Sequence, residues 1–284
     1  MNKIIKTKLT INNLKFTIRE SGEENKGSLI VFLHGFPESS LMWESTMLYF
    51  SDNGYRVVAP DQRGYSAGAR PEGIENYSMD LLANDVVSLA QELGYEKFHL
   101  VAHDIGSLVG WTVAAKYPEK LLSWTSLSVP DWPAYVWALQ NDPTQREKGA
   151  YVSRFQVPGE SEKLISSNDY AILKKLWAGF DESEIASYLK LYSQEDMLTS
   201  VINWYRALFQ IKNQVDYSVI TTNTVLIWGN KDLAISRAGI ERNASYMKGK
   251  YEMVELNASH WLTEFNNDEI NELIYNNISG KDFG

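Results

Sequence analysis

Three residues whose types suit covalent hydrolysis stand far apart in the sequence. Asp104, Asp232 and His260 each come just after a short apolar run, as at the end of a buried strand. In this chain order the three could act as nucleophile, orienting acid and general base. A single Asp or His after a strand is ordinarily structural. Three in this order, each at a strand end, predict an active site at the carboxyl edge of a sheet.

The segment around Asp104, AHDIGS (102–107), has small residues on both sides of the carboxylate. Small side chains permit a sharp turn from strand to helix, which pushes the central side chain into a cleft. The same six residues also fit an aspartate that caps the N-terminus of a helix after a strand. The local sequence leaves both interpretations open.

A second turn of interest is HGFPESSLMW (34–43), which directly follows the apolar run LIVFL (29–33). A strand that ends in a glycine-containing turn presents backbone N–H groups at the sheet edge, where an oxyanion could be stabilised. An ordinary β-turn is the alternative. The turn is therefore a candidate oxyanion site.

The elements that must position these residues are visible as apolar runs typical of strands covered on both faces, as in a parallel sheet. Such runs lie at 29–33, 56–59, 98–102, 121–129, 224–229 and 251–256. Helix-period stretches such as 78–94 separate them, and alternation around Asn12-Asn13 predicts a β-hairpin. The pattern predicts an α/β fold with a mostly parallel, doubly wound sheet.

The pattern changes between residues 131 and 219, where the sequence is helix-period, rich in Trp and Tyr, and without buried-strand runs. We interpret this block as a helical cap inserted over the carboxyl edge of the sheet. Residues 1–130 and 220–284 would then form the core. Three tryptophans are assigned to the packing of the cap: Trp132, Trp137 and Trp177.

Composition argues against several classes of protein. The 284 residues carry a net charge of −9 with dispersed Lys and Arg, which argues against nucleic acid or an anionic membrane as a partner. The chain has no cysteine and its four histidines lack metal-ligand spacing, so we predict neither metal nor cofactor. Polar residues interrupt every apolar run near the start of the sequence. We therefore predict neither a signal peptide nor a membrane anchor there. We expect a cytoplasmic monomer or homodimer that acts on a small apolar organic substrate.

The sequence resembles the α/β-hydrolase superfamily, in particular its epoxide hydrolase branch, which shares an aspartate nucleophile with haloalkane dehalogenases. The resemblance spans nearly the whole chain, although residues 163–202 match no motif of the family. Two motifs in the helical block are the more discriminating, because the core motifs are shared with many relatives. The motifs are HGFPESSLMW, VAPDQRGYSAGARP (58–71), LVAHDIG, WGNKD and ASHW in the core, and YVSRFQVPGESE (151–162) and NWYRA (203–207) in the block.

An aspartate nucleophile restricts the chemistry. Its carboxylate is already an anion at neutral pH, so it needs no base to attack. Attack on an ester or amide would give an unfavourable anhydride, whereas attack on a strained or activated sp³ carbon gives a stable alkyl ester. Asp104 therefore suits epoxides and carbon–halogen bonds. His260, held in its tautomer by Asp232, would then activate the water that hydrolyses the ester.

The resemblance implies further site residues. Tyr151 and Tyr205 match the tyrosines that protonate an opening epoxide in this branch. The backbone N–H groups of Phe36 and Ile105 match the donors to the oxyanion. Four side chains match positions that contact substrate: Phe36, Pro37, Ile105 and Trp261.

Several residues leave alternative interpretations of the site and of the function open. Asp131 also follows a strand, and some relatives take the orienting acid from near there, although GNKD favours Asp232. The residue after the nucleophile is often Trp in this branch but is Ile105 here, and Ser107 replaces a frequent Gly; both differences bear on substrate shape. A haloalkane dehalogenase using the same ester is the alternative function, weakened by the missing Trp donor. A small-molecule receptor without turnover is the third hypothesis.

Overall fold

The computed structural model describes residues 2–211, 215–217 and 220–281. Within these ranges, eight strands form one sheet in the order β1-β2-β4-β3-β5-β6-β7-β8. The first pairings, β1 with β2 and β2 with β4, are antiparallel, and the others are parallel. The strands are β1 (Ile5–Ile11), β2 (Leu14–Ser21), β3 (Leu29–Leu33), β4 (Arg56–Asp61), β5 (Phe98–His103), β6 (Leu121–Leu127), β7 (Thr224–Gly229) and β8 (Tyr251–Leu256).

The apolar runs coincide with the strands, and the predicted mostly parallel α/β sheet is confirmed. β3 to β7 are buried along almost their whole length, as expected for strands with helices on both faces. The predicted hairpin is also confirmed. Asn12 and Asn13 have φ of 51° and 63°, the left-handed pair of a two-residue turn whose twist matches the flanking strands.

Helices cover the two faces of this sheet. On one face α2 (Met79–Glu92) packs against α3 (Ile105–Lys116), and on the other α1 (Glu44–Asp52) packs against a helix near the carboxyl end. α2 confirms the helix predicted at 78–94, and its apolar side is buried against the sheet. α3 is buried nearly all round, so its start is held firmly at the end of β5.

Helices also fill the sequence between β6 and β7, where the described residues contain no strand. The predicted end of this block at 219 lies outside the described residues. Trp177 is buried and stacks on Tyr188 with ring centroids 5.3 Å apart, as the assignment to cap packing requires. The helices are α4 (Trp132–Asn141), α5 (Pro143–Lys148), α6 (Ala150–Phe155), α7 (Glu160–Leu176), α8 (Glu182–Tyr192) and α9 (Met197–Gln210).

Three helices complete the chain: α10 (Arg237–Asn243), α11 (Leu262–Phe265) and α12 (Asn267–Ser279), of which α12 is the partner of α1. None of the helices in the described ranges is long and apolar enough to cross a membrane. Because β3, β5, β7 and β8 run parallel, the loops that follow them meet at one edge of the sheet. The candidate residues lie in those loops, at the start of α3, or in the segment between β6 and β7.

Candidate active site

Asp104 forms a sharp turn between β5 and α3. Its φ of 53° and ψ of −132° are unusual for a residue with a side chain, a conformation that costs roughly 1–3 kcal/mol. Its side chain accepts no hydrogen bond from the second or third residue of α3, as a helix cap would, so the helix-cap interpretation of this segment is excluded. The carboxylate instead lines two cavities.

Small residues around Asp104 are required by close approaches of backbone. A Cβ on Gly106 would lie 2.3 Å from the carbonyl oxygen of His34, and one on Gly35 would lie 2.4 Å from Cβ of Asp104. Ser107 is accommodated in this turn, because its hydroxyl donates to the carbonyl oxygen of Ala102 at 3.0 Å. The turn after β3 and the turn after β5 therefore interlock.

His260 lies between the two aspartates. Its Nδ1 is 2.7 Å from Oδ2 of Asp232, and its Nε2 is 3.4 Å from Oδ2 of Asp104. The other oxygen of Asp232 accepts hydrogen bonds from the backbone N–H groups of Ala234 and Ile235, at 2.7 and 2.9 Å. The structure thus brings together the three residues that the sequence predicted, with the Asp232 carboxylate fixed from both sides.

Asp131, the alternative acid, lies elsewhere. Its carboxylate accepts a hydrogen bond from the backbone N–H of Ala134 at 2.8 Å and so caps the N-terminus of α4. Burial raises the pKa of Asp131 to about 7. The preference for Asp232 agrees with this geometry.

The charges of the three residues are mutually dependent. Burial alone would lower the pKa of His260, but the negative charges of Asp232 and Asp104 raise it well above its usual value. Burial would likewise raise the pKa of Asp104, but the hydrogen bond and charge of His260 hold it below its usual value. Asp104 is therefore an anion beside a cationic imidazole.

Backbone donors converge on the Asp104 carboxylate. The N–H of Phe36 donates to Oδ1 at 2.9 Å, and the N–H of Ile105 contributes a hydrogen bond that lowers the pKa of Asp104. Both predicted oxyanion donors therefore lie at the carboxylate. Behind them, His34 accepts a hydrogen bond from the N–H of Gln62 at 3.1 Å through Nε2, and burial lowers the pKa of His34 to about 4. A neutral His34 thus supports the turn that carries Phe36.

The two candidate tyrosines reach the site from different helices, Tyr151 from α6 and Tyr205 from α9. Their ring centroids are 6.3 Å apart, and Tyr205 packs edge-on against Phe36 at 5.9 Å. Both line the two cavities that Asp104 lines. Burial, followed by the charge of Asp104, raises the pKa of each phenol well above its usual value. Both hydroxyls are therefore protonated and able to donate.

The two cavities differ in size. The larger has a volume of about 270 Å³, and the smaller about 30 Å³. Of the predicted substrate contacts, Phe36, Pro37 and Trp261 line the larger cavity, and Ile105 lines the smaller. Trp132, which the sequence assigned to cap packing, also lines the smaller cavity.

Two carboxyl groups that sequence reasoning did not single out lie behind His260. Glu38 is fully buried with Oε2 3.4 Å from Nδ1 of His103, whose ring is 4.7 Å from that of His260. Burial raises the pKa of Glu38 to about 7, and burial together with Glu38 raises the pKa of Glu264 well above its usual value. Glu38 belongs to the HGFPESS turn, and its place in this turn was the one sequence feature that could have pointed to it. A glutamate in a turn ordinarily faces water, so its burial was not expected.

Comparison with known proteins shows the family to which the chain belongs. The model of the α/β-hydrolase fold family matches residues 28–266. The chain is 32% identical over 269 residues to AB hydrolase superfamily protein YfhM of Bacillus subtilis, covering 93% of this chain and 94% of that protein. It is 31% identical over 276 residues to Epoxide hydrolase 4 of Homo sapiens, covering 93% of this chain and 75% of that protein.

Solved structures of epoxide hydrolases share the whole fold. A mutant of an epoxide hydrolase from Bacillus megaterium superposes with a TM-score of 0.85 at 25% identity, covering 97% of this chain and all of that one. An epoxide hydrolase from Vigna radiata gives a TM-score of 0.83 at 26% identity, covering 98% of each chain. The protein therefore belongs to the α/β-hydrolase superfamily, in its epoxide hydrolase branch.

Proposed function

We propose that the protein opens an epoxide to a vicinal diol through an ester formed on Asp104. The observation that carries this proposal is that a carboxylate, Asp104, and two protonated phenols, Tyr151 and Tyr205, line the same cavity. The carboxylate supplies the nucleophile, and the phenols supply the donors that an opening epoxide needs. The epoxide hydrolases among the relatives and structural neighbours support the same reaction class.

The first step is alkylation of Asp104. A carboxylate oxygen attacks one epoxide carbon, the bond between that carbon and the ring oxygen breaks, and the ring oxygen takes a proton from Tyr151 or Tyr205. The turn at Asp104 aims the carboxylate at the cavity, so the attack needs little reorganisation. Hydrogen bonds from the phenols to the ring oxygen become stronger as negative charge develops on that oxygen. They therefore stabilise the transition state more than the bound epoxide.

The second step is hydrolysis of the ester. His260 takes a proton from a water molecule, the water attacks the Asp104 carbonyl carbon, and the N–H groups of Phe36 and Ile105 stabilise the oxyanion. The bond between the Asp104 acyl carbon and the ester oxygen then breaks, the diol oxygen takes the proton of the carboxylic acid formed on Asp104, and the diol leaves the restored carboxylate. The phenolate left by the first step regains its proton from the imidazolium of His260. Phe36 already donates to the carboxylate oxygen that would carry the oxyanion charge.

Alkylation itself prepares His260 to act as a base. Before the reaction, the negative charges of Asp232 and Asp104 keep the pKa of His260 high. The ester is uncharged, so its formation removes the contribution of Asp104 and lowers the pKa of His260. The imidazole therefore loses its proton more readily at the stage where a base is needed.

Epoxide opening is favoured over dehalogenation by the side chains at the nucleophile. A departing halide requires N–H donors beside the carboxylate, and the residue after Asp104 is Ile105, whose buried side chain has none. A departing alkoxide requires an acidic proton, which Tyr151 and Tyr205 provide. We also propose that the helical block 131–219 acts as the cap of this site, since it contributes both tyrosines.

The proposal is tested with panels of epoxides and of haloalkanes. We expect the wild type to release diols from epoxides and no halide from haloalkanes, and Asp104→Asn to do neither. Asp131→Asn is a matched control, because both aspartates are buried beside a helix N-terminus but Asp131 lies outside the site. Halide release without diol formation would favour the dehalogenase, and absence of turnover would favour a receptor.

A further inference from the structure

One short helix between β6 and β7 is bound to the loop that carries Asp232. This loop (residues 230–236), called the acid loop below, joins β7 to α10. Gln145 of α5 is fully buried, and its side-chain amide bonds to the backbone of the acid loop in two places. Its Nε2 donates to the carbonyl oxygen of Ala234 at 2.9 Å, and its Oε1 accepts from the N–H of Ser236 at 2.8 Å. The donor and the acceptor of this amide thus both serve the loop.

Two further side chains at the ends of α5 bind the acid loop. The ammonium group of Lys148, the last residue of the helix, donates to the carbonyl oxygens of Asp232 and of Ile235, the latter at 3.3 Å. Oδ2 of Asp142, which precedes the helix, accepts a hydrogen bond from the hydroxyl group of Ser236 at 2.6 Å. The whole length of α5 therefore holds the loop.

The backbone of the acid loop lies between α5 and the Asp232 carboxylate. The N–H groups of Ala234 and Ile235 donate to one oxygen of this carboxylate at 2.7 and 2.9 Å, whereas the carbonyl oxygens of the same two residues accept from side chains of α5. The other carboxylate oxygen is 2.7 Å from Nδ1 of His260. A displacement of the loop would therefore move the oxygen that orients His260.

The bonds to Gln145 are the ones whose loss would displace the loop. Ala234 and Ser236 are buried, and a buried backbone group without a partner is costly. Without the amide of Gln145, the loop would have to move until its carbonyl oxygen and N–H found other partners. A shift of about 1 Å at a catalytic group can slow a step by about 10²-fold.

We infer that Gln145 is a positioning residue for ester hydrolysis, and that it acts by holding Asp232 against His260. Gln145 is not among the described residues that line the two cavities, so it acts through the acid loop and does not touch the substrate. The helical block would then serve the second step through α5, as it serves the first through its tyrosines. The inference rests on the proposed epoxide hydrolysis.

The test measures the two steps separately, with the epoxide that the wild type hydrolyses fastest in the panel above. Gln145→Met keeps a long side chain but removes both hydrogen bonds. In a rapid-quench experiment read by intact mass and diol release, ester hydrolysis should slow by about 10–100-fold. Alkylation should stay near the wild-type rate, because Asp104 and Tyr205 make no contact with α5. Gln140→Met, the same substitution at an exposed glutamine of α4, should leave both steps unchanged.

A double variant shows whether Gln145 acts through Asp232. Asp232→Asn removes the carboxylate that the acid loop positions, so the addition of Gln145→Met should not slow ester hydrolysis further. Independent effects would instead multiply. Lys148→Met removes a partly buried contact with the same loop and should slow ester hydrolysis by about tenfold, which keeps the inference testable if Gln145→Met does not fold.

The outcomes separate this inference from the proposed function. Ester hydrolysis at the wild-type rate in Gln145→Met, equal slowing of both steps, or multiplied effects in the double variant would overturn the role of Gln145 and leave epoxide hydrolysis standing. If Gln145→Met does not fold, wild-type ester hydrolysis in Lys148→Met would do the same. A wild type that forms neither ester nor diol from any epoxide of the panel would overturn both.

Discussion

Replacing Asp232 by asparagine is expected to trap the ester. In the structure one oxygen of Asp232 accepts from the backbone N–H groups of Ala234 and Ile235, and the other faces Nδ1 of His260. Two N–H donors require an oxygen on their side, so the amide NH₂ introduced by Asp232→Asn must turn toward His260. It would donate to Nδ1 and place the imidazole proton on Nε2. In this tautomer His260 cannot take a proton from water.

The magnitude follows from the loss of the base. General-base catalysis contributes about 10²–10⁴-fold, and the equivalent change in the serine protease triad lowers kcat by about 10⁴. We therefore expect ester hydrolysis to slow by about 10³-fold. Alkylation uses the Asp104 carboxylate and the phenols, which the substitution does not touch, so it should change by less than about tenfold. The enzyme should then accumulate as the ester.

The assay is a rapid-quench time course read by intact mass and by diol release. Asp232→Asn should show a fast rise of covalently modified protein followed by slow diol release. Asp131→Asn is the control, since Asp131 caps α4 and lies outside the site, and its turnover should match the wild type. Equal slowing of both steps in Asp232→Asn would refute the reasoning, as would loss of turnover in Asp131→Asn with wild-type turnover in Asp232→Asn.

Three further predictions rest on particular contacts. Tyr151→Phe and Tyr205→Phe should each slow alkylation by about 10–100-fold, the effect of a lost hydrogen bond to developing charge, while ester hydrolysis in single-turnover experiments stays near wild type. Gly35→Ala places a Cβ 2.4 Å from Cβ of Asp104 and should destabilise the protein by about 1–3 kcal/mol in urea denaturation, so wild-type stability would contradict the packing. Burial raises the pKa of Glu38 from its ordinary value of 4.5 to about 7, so the unfolded chain loses this proton at a lower pH than the folded protein does. Wild-type stability should therefore fall by about 3 kcal/mol between pH 4.5 and about pH 7. Glu38→Gln should flatten that fall, and parallel profiles for the two proteins would exclude this source.

Much of the fold was predictable because its signals are local. Each apolar run had the length and composition of a buried strand, and the asparagine pair at 12–13 fits the backbone that a two-residue hairpin requires. The order of Asp104, Asp232 and His260 was also readable, since each stands at a strand end. Parallel strands then bring such ends to one edge.

Other features depend on how distant loops meet, which local sequence does not encode. The capping bond of Asp131 to Ala134 and the contact of His260 with Asp232 favour Asp232 as the orienting acid. Glu38 was not singled out from the sequence, because its burial depends on packing against elements distant in sequence. The larger cavity is lined in part by α7, whose residues beyond 162 match no motif, so substrate shape could not be predicted.

The most direct test of the account is the mass of a His260→Gln variant after reaction with an epoxide. Loss of the base should leave alkylation largely intact, so the protein should gain the full mass of the epoxide, and peptide mapping should assign the gain to Asp104. Diol formation at wild-type rate without any modified protein, or modification at a different residue, would contradict the covalent mechanism.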